Sequence, residues 1–264
     1  MKKVHIDCEL QYSANNNSDF IFNIQAANHQ WQVVNQEYIS FLPILNADYG
    51  YNHIGDNKLV RLSQVSGTFS IRYQAEIDLT YPEPIGNEVE MKISQLPIEI
   101  IPYLWSSRFC ESDTFYQNSV QLFGNIPPGY QRVAYITDWI KQNITYELGS
   151  SNGLTTAMHV LQTKKGVCRD FAHLGISFCR ALNIPARFVA GYATDLAGSN
   201  NDFHAIFEAY LDNRWILFDP TKLCDLSQFV RISTGRDASD CSFCNIYGNG
   251  VRMTYMNPSS TVVI

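Results

Sequence analysis

The sequence predicts an α+β protein in which an amino-terminal antiparallel β-sandwich domain precedes a core of helices and antiparallel strands. Two observations support this division. Residues 1–95 hold short runs of β-branched and aromatic residues, separated by polar turn clusters such as SANNNS. Residues 96–264 begin instead with helical patterns, and β-rich runs follow them. We therefore expect one domain over residues 1–95 and a second over residues 96–264.

The predicted helices of the second half cover residues 128–143, 155–162 and 167–182. Their apolar residues recur at three- and four-residue spacing, as Val133, Ile136 and Ile140 do in the first helix. Pro185 ends the third helix, because proline disfavours helical geometry in the residue before it. Three antiparallel strands are then expected, in the segments ARFVAGYA, FHAIFEAYL and RWILFD.

The composition of the 264-residue chain suits a packed, sheet-rich protein, with 45% hydrophobic, 13% aromatic and 17% charged residues. A net charge of −6 argues against nucleic acid or an anionic membrane as a partner. The segment MKKVHIDCEL has a basic start without an apolar stretch, and no run reaches the ~18 apolar residues of a membrane span. We expect a cytoplasmic location; the sequence predicts no oligomeric state.

The chain contains seven cysteines at irregular spacing, which favours free thiols over a disulfide framework. Cys241 and Cys244 form a CxxC pair, but a zinc site would need a second Cys or His pair nearby. We interpret the pair as two loop thiols, with a redox role as the alternative. His5, His29 and His53 are scattered among polar residues and predict no metal site.

Cys168 lies in the first turn of the third predicted helix, within the segment KKGVCRDFAHLG. Unpaired N–H groups and the positive end of the helix dipole favour an anion at such a position. Lys164, Lys165 and Arg169 add positive charge. This environment is typical of a reactive thiolate. The other interpretation is a structural, buried cysteine, and position alone does not separate the two.

A predicted hairpin brings a histidine and an aspartate together. If Asp212 and Asn213 form a two-residue turn, strand pairing places His204 opposite Thr221. Asp219 then lies diagonally across from His204, within side-chain reach. A change of one residue in the turn would put the two on opposite faces of the sheet. With this register, Asp219 can orient the ring of His204, and His204 can act as the base for the Cys168 thiol. This is the arrangement of nucleophile, base and orienting group found in catalytic triads.

Three segments, in order and with compatible spacing, resemble the bacterial branch of the transglutaminase-like superfamily: GVCRDFAHLGISFCRALNIPARFVAGY, FHAIFEAYLDNRWILFDPT and STGRDASD. The resemblance covers residues 96–264 and implies a papain-like/transglutaminase-like catalytic core. Residues 1–95 resemble the amino-terminal domain often attached to these proteins. By this resemblance Cys168 is the nucleophile, His204 the base and Asp219 the orienting residue of a catalytic triad. The chemistry of such a triad requires no metal, and we expect no cofactor and no metal; the acidic loop of an EF-hand calcium site is absent from the sequence.

The sequence departs from the family pattern at one position and leaves the role of one segment open. Ile206 stands where a tryptophan commonly follows the His-Ala pair of this superfamily, which puts in doubt any role for an aromatic beside His204. In the GRDASD segment, Arg236, Asp237 and Asp240 either line the cleft or form a structural ion-pair cluster. We favour the structural role.

The expected activity is that of a thiol-dependent enzyme acting on an amide bond of a peptide or protein, through a thioester on Cys168. Hydrolysis of the thioester would make the protein a cysteine protease, whereas transfer to an amine would make it a protein-glutamine gamma-glutamyltransferase (transglutaminase). We favour hydrolysis because nothing in the sequence indicates a second, amine-admitting site. The resemblance also implies that many bacterial members are assigned as proteases. A non-catalytic protein-binding module is a further alternative, against which the intact Cys, His and Asp argue.

Overall fold

The computed structural model describes residues 1–52, 57–194 and 202–263, so His53 lies outside the described residues. The strands are β1 (Lys2–Phe22), β2 (Gln32–Leu42), β3 (Asp48–Asn52), β4 (Asn57–Leu79), β5 (Thr145–Tyr146), β6 (Lys165–Gly166), β7 (Ala186–Tyr192), β8 (Phe203–Leu211), β9 (Arg214–Phe218), β10 (Val230–Gly235), β11 (Cys244–Tyr247) and β12 (Val251–Val263). The α-helices are α1 (Tyr116–Phe123), α2 (Tyr130–Asn143), α3 (Ala157–Thr163) and α4 (Cys168–Ala181). Short 3₁₀ turns cover Ile93–Gln95, Ile98–Leu104, Ser112–Thr114 and Leu226–Gln228. No helix in these described ranges combines the length and apolarity that crossing a membrane requires.

The amino-terminal sheet is antiparallel and six-stranded, in the order β11-β1-β4-β2, with β12 added to β1 and β3 added to β4. Its two long strands bend where the pairing register shifts between Ala14 and Ser18. The ring centroids of Tyr12 and Phe20 lie 5.5 Å apart, although a straight strand would separate these residues by about 26 Å. The sheet therefore folds over itself, and its two halves face each other across an aromatic core. The predicted amino-terminal antiparallel β layer is confirmed.

Strands from the end of the chain complete this amino-terminal sheet. Both β11 and β12 pair with β1, and Phe22 lies opposite Cys244 in the first of these pairings. The carboxyl-terminal segment therefore returns to the β layer after it has passed through the helical part. The division at residue 95 stays a prediction.

The second layer is a four-stranded antiparallel sheet in the order β10-β7-β8-β9, with α4 packed on one face. Phe171, Leu174 and Phe178 of α4 are buried, as the apolar spacing predicted. The structure confirms the three predicted helices with bounds shifted by one or two residues. Helix α1 was not predicted, because its eight residues are too short for a clear helical period.

The β8–β9 hairpin has the predicted turn. Asp212 and Asn213 have φ values of 49° and 59°, the left-handed region that a two-residue turn of this type requires. Leu211 pairs with Arg214, so the predicted register is confirmed. This register fixes which side chains meet at the opposite end of the hairpin, where His204 lies.

Candidate active site

The amino terminus of α4 holds Cys168 at the first helical position. The backbone N–H of Val167 donates to Oδ2 of Asp170 at 2.9 Å, and the backbone N–H of Asp170 donates to the carbonyl of Val167 at 2.9 Å. Asp170 is buried, and a Cβ atom on Gly166 would lie 2.8 Å from its Cβ. A capping interaction and a close approach thus fix the path by which the chain begins this helix. The thiol position follows from that path.

Two of the three predicted cations near Cys168 have acidic partners, whereas Lys164 lies over the ring of Trp139, 5.1 Å from its centroid. Arg169 binds Oδ1 of Asp170 at 3.1 Å, and Lys165 binds Glu147 at 2.8 Å. Their charges are therefore partly compensated. The helix terminus remains as a source of positive potential beside the thiol, since the first N–H groups of a helix have no partner within it.

His204 and Asp219 form a buried pair. Nε2 of His204 lies 3.2 Å from Oδ2 of Asp219, and each side chain is 2% exposed. Oδ1 of Asp219 accepts hydrogen bonds from the N–H and the hydroxyl of Thr221 at 2.8 and 2.7 Å. Oδ2 also accepts from the N–H of Leu223 at 3.0 Å. The backbone after β9 therefore fixes the carboxylate, and the carboxylate fixes the imidazole with Nε2 as the donor.

The electrostatics of the pair favour its charged form. Burial lowers the pKa of His204, but hydrogen bonds with Asp219 and Cys168 outweigh burial and raise this pKa well above 6.5. Burial raises the pKa of Asp219, but the hydrogen bond and the charge of His204 bring it below 3.8. The ring therefore interacts with the Asp219 carboxylate and with the Cys168 thiol. These are the three residues that the sequence singled out.

Cys168 and His204 line one cleft of about 760 Å³. Its lining comes from the start of α4 and residues 151–153, from strands β7 and β8, and from Asn23 and residues 241–245. The apolar lining includes four aromatic rings: Phe109, Phe188, Phe203 and Phe243. The residues that follow β1 and begin β11 thus form part of the cleft, so the amino-terminal sheet contributes directly to the site.

Cys241 and Cys244 also line this cleft, and both are free thiols. Burial raises the pKa of Cys244 to about 12 and raises that of Cys241 further above its usual range. Both groups therefore stay protonated near neutral pH, which disfavours nucleophilic or redox chemistry there. The cleft brings the pair close to the other site residues but gives it no activated thiolate.

The GRDASD segment makes structural contacts. Arg236 binds Asp240 at 3.0 Å, and Asp237 accepts hydrogen bonds from two backbone N–H groups, those of Phe109 and Ser239, at 2.9 Å each. These bonds hold the loop after β10 against the helical layer. They agree with the favoured structural interpretation of this segment.

Two further residues at the site were not found from the sequence. Burial raises the pKa of Tyr146 to about 12, and both the charge of Cys168 and hydrogen bonding to it act on this phenol. Tyr146 therefore lies against Cys168. Sγ of Cys224 lies 3.5 Å from Oδ2 of Asp219. Neither residue belongs to a spaced motif, so the sequence carried no signal for them.

Comparison with known proteins identifies the family. The family model "Transglutaminase-like superfamily" matches residues 117–220, and "Bacterial transglutaminase, N-terminal domain" matches residues 1–99. The crystal structure of "a Putative Cysteine Protease from Cytophaga hutchinsonii" is 37% identical with a TM-score of 0.93, covering 100% of this chain and 91% of that chain. The chain belongs to the transglutaminase-like superfamily. The predicted family and fold class are therefore confirmed.

Two curated relatives match over shorter parts of their length. "Uncharacterized protein ML0607" of Mycobacterium leprae is 29% identical over 109 residues, which cover 39% of this chain and 39% of that protein. "Uncharacterized protein YebA" of Bacillus subtilis is 23% identical over 238 residues, which cover 73% of this chain and 32% of that protein. The chain thus spans less than half the length of these two curated relatives.

Proposed function

We propose that this transglutaminase-like protein is a cysteine hydrolase that cleaves amide bonds of peptides or proteins. In this proposal Cys168 is the nucleophile, His204 the general base and acid, and Asp219 the residue that orients the ring. One observation carries the proposal: a His–Asp pair at 3.2 Å whose imidazole interacts with a thiol at a helix amino terminus, beside an open cleft.

The reaction begins when the thiolate of Cys168 attacks the carbonyl carbon of the amide, forming a C–S bond and moving the C=O π electrons onto oxygen. N–H groups at the start of α4, including that of Cys168, donate to this oxyanion. The imidazolium of His204 gives its proton to the departing amine as the C–N bond breaks. A thioester remains. His204 then takes a proton from water, which hydrolyses the thioester and regenerates the thiolate.

Hydrolysis is preferred over amine transfer for two reasons. The 37% identical structure carries the name of a cysteine protease, although marked as putative. The cleft also reaches solvent, so water can approach the thioester. Transfer to a lysine amine would use the same three residues, and the outcome depends on which nucleophile reaches the thioester first. The reaction products therefore have to distinguish the two activities.

The proposal is tested by incubating the protein with a peptide library, with and without a primary amine, and analysing the products by mass spectrometry. Cleavage that is independent of the amine supports a protease, and incorporation of the amine identifies a transglutaminase. Cys168→Ala should abolish both reactions, whereas Cys8→Ala, a change in the buried core of the amino-terminal sheet, should retain them. A wild-type chain that forms neither products nor a thioester would rule out both enzymes in favour of a binding module.

A further inference from the structure

Three side chains bring metal-binding atoms together behind the imidazole of His204. One ring nitrogen of His204, one carboxylate oxygen of Asp219 and Sγ of Cys224 all lie within 4.8 Å of one another. The Nε2–Oδ2 distance is 3.2 Å and the Sγ–Oδ2 distance is 3.5 Å. Tetrahedral Zn²⁺ with its usual bond lengths to N, O and S separates such ligand atoms by about 3.3–3.6 Å. Two edges of a zinc coordination tetrahedron are therefore already formed.

The hydrogen bonds at Asp219 show what an ion would replace. Oδ2 receives the N–H of Leu223 at 3.0 Å and the N–H of Cys224 at 3.3 Å, in addition to the imidazole and the thiol. The last two donors carry protons that a metal can displace. One Zn²⁺ would form bonds to N, S and O, and the Nε2 proton and the thiol proton would leave to solvent. A doubly charged ion then replaces two protons beside the same carboxylate oxygen.

The site has its own route to solvent. Asp219 and Cys224 line a pocket of about 110 Å³ whose lining includes neither Cys168 nor His204. This volume holds an ion and a few waters, because one water occupies about 30 Å³ in the liquid. Lys222 at the rim has a carboxylate partner, since it binds Asp138 at 3.1 Å. An ion can therefore reach Asp219 and Cys224 through this pocket without passing Cys168, with water in the fourth position, as in other zinc sites with three protein ligands.

We propose that His204, Asp219 and Cys224 bind Zn²⁺ and that the bound ion switches off Cys168. Zinc on Nε2 replaces the hydrogen bond to Asp219 and leaves the remaining ring proton on Nδ1. The ring can then neither accept the proton of Cys168 nor carry the positive charge that favours its thiolate. The binding is independent of the proposed reaction, and only the consequence for turnover rests on the proposed function.

The metal site is tested by titrating Zn²⁺ into the Cys168→Ala chain by calorimetry, because this variant cannot use the cleft thiol as a ligand. We expect one ion per chain. Adding Cys224→Ser should weaken the affinity by more than about tenfold, because serine keeps a donor towards Asp219 but is a poor zinc ligand. Adding Cys244→Ser, the matched control, should leave the affinity unchanged. Circular dichroism would establish that all three chains are folded.

Zinc that fails to bind the Cys168→Ala chain, or that binds the Cys224→Ser version equally well, would overturn the site. The switch has a separate readout, the rate at which iodoacetamide alkylates Cys168 in otherwise wild-type protein. Zn²⁺ should slow this rate at least about tenfold, a chelator should restore it, and Cys224→Ser should remove most of the effect. Slowing that is unchanged in Cys224→Ser would mean that zinc acts directly on Cys168, contradicting the switch. Failure of the proposed function would appear differently, as absent amide turnover in zinc-free protein.

Discussion

Nε2 of His204 lies 3.2 Å from Oδ2 of Asp219, beyond the last paired residues of the β8–β9 hairpin, Phe207 and Phe218. The contact depends on the segment after β9, where Thr221 and Leu223 donate to the same carboxylate. The hairpin therefore sets the strand register that brings His204 near Asp219, and the segment that follows the hairpin sets the orientation of the Asp219 carboxylate. A change that keeps the shape of the carboxylate but removes its charge isolates the contribution of that orientation to catalysis.

Asp219→Asn should lower the rate of acylation by about 10³–10⁴-fold while the protein stays folded. The amide has nearly the shape of the carboxylate, but its NH₂ group favours the wrong tautomer of His204. Asp225→Asn is the matched control, since Asp225 is exposed and binds Ser227 away from the cleft. The measurement is single-turnover acylation with an activated ester. A rate for Asp219→Asn equal to that of the control would remove Asp219 from the mechanism.

The alkaline limb of the pH–rate profile for acylation should report the pKa of His204. The departing amine needs a proton from the imidazolium, so acylation falls as pH rises through the pKa of His204. Because Asp219 and Cys168 raise this pKa well above 6.5, the limb should lie well above pH 6.5. Asp219→Asn removes one of the interactions that raise the pKa, and the limb should move to lower pH. A limb at the same pH in both proteins would contradict this account.

Folding stability should depend on pH through the same pair. The pKa of Asp219 in the folded protein lies below its ordinary value of 3.8, so its contribution to the free energy of unfolding is present above pH 3.8 and declines as pH falls below it. The pKa of His204 is raised, so its contribution is full below pH 6.5 and is lost as pH rises through the higher folded value. Urea unfolding of wild type and Asp219→Asn at a series of pH values measures the contributions of Asp219 and His204 to the free energy of unfolding. We expect the difference in stability between the two proteins to shrink at either end of the range, and a difference independent of pH would contradict the linkage.

The sequence predicted the parts of the fold that depend on local pattern. The apolar spacing was sufficient to predict α2 and α4, and the Asp212–Asn213 turn was sufficient to predict the β8–β9 hairpin. Each of these features is decided by a few neighbouring residues. The pairing of β11 and β12 with β1 was not predicted, since it joins residues more than 200 positions apart that carry no matching signal. Such long-range pairing is decided by tertiary packing, as β propensity is strongly dependent on context.

The candidate site also has some residues that local sequence pattern could predict and others that depend on tertiary packing. The proximity of His204 and Asp219 followed from strand register, which a short turn determines, whereas the roles proposed for them came from the family resemblance. The contacts of Tyr146 and Cys224 could not be predicted, because both residues reach the site from segments whose course depends on packing against α4 and β9. Asn23 and Phe243 of the cleft wall were missed for the same reason, as they belong to the amino-terminal layer.

Iodoacetamide should alkylate Cys168 before any other thiol near neutral pH. Cys168 is partly exposed in the cleft and interacts with His204, whereas burial raises the pKa of Cys224 to about 11 and that of Cys244 to about 12. Only the thiolate reacts, so these protonated groups should react slowly. Peptide mapping after brief labelling identifies the order. Faster modification of the Cys241–Cys244 pair would support the redox alternative instead.

Gly166→Ala should weaken both folding and acylation, because a Cβ atom there would lie 2.8 Å from the Cβ of Asp170. Asp170 cannot easily move, since it caps α4 through Val167 and binds Arg169. We expect a loss of about 1–3 kcal/mol in the free energy of unfolding. Displacement of the helix start would also move Cys168, and a shift of about 1 Å at a reacting group can cost about 100-fold in rate.

Gly50→Ala is the control for this substitution, since Gly50 lies in β3, outside the cleft lining, and a Cβ there meets no atom within 4 Å. It tests the same change at a glycine with open space around it. It should change the free energy of unfolding by no more than about 0.5 kcal/mol. Urea unfolding and the rate of Cys168 alkylation would be measured on both variants. If Gly166→Ala resembles Gly50→Ala in both measurements, the close approach between Gly166 and Asp170 does not position the thiol, and the helix cap alone must hold it.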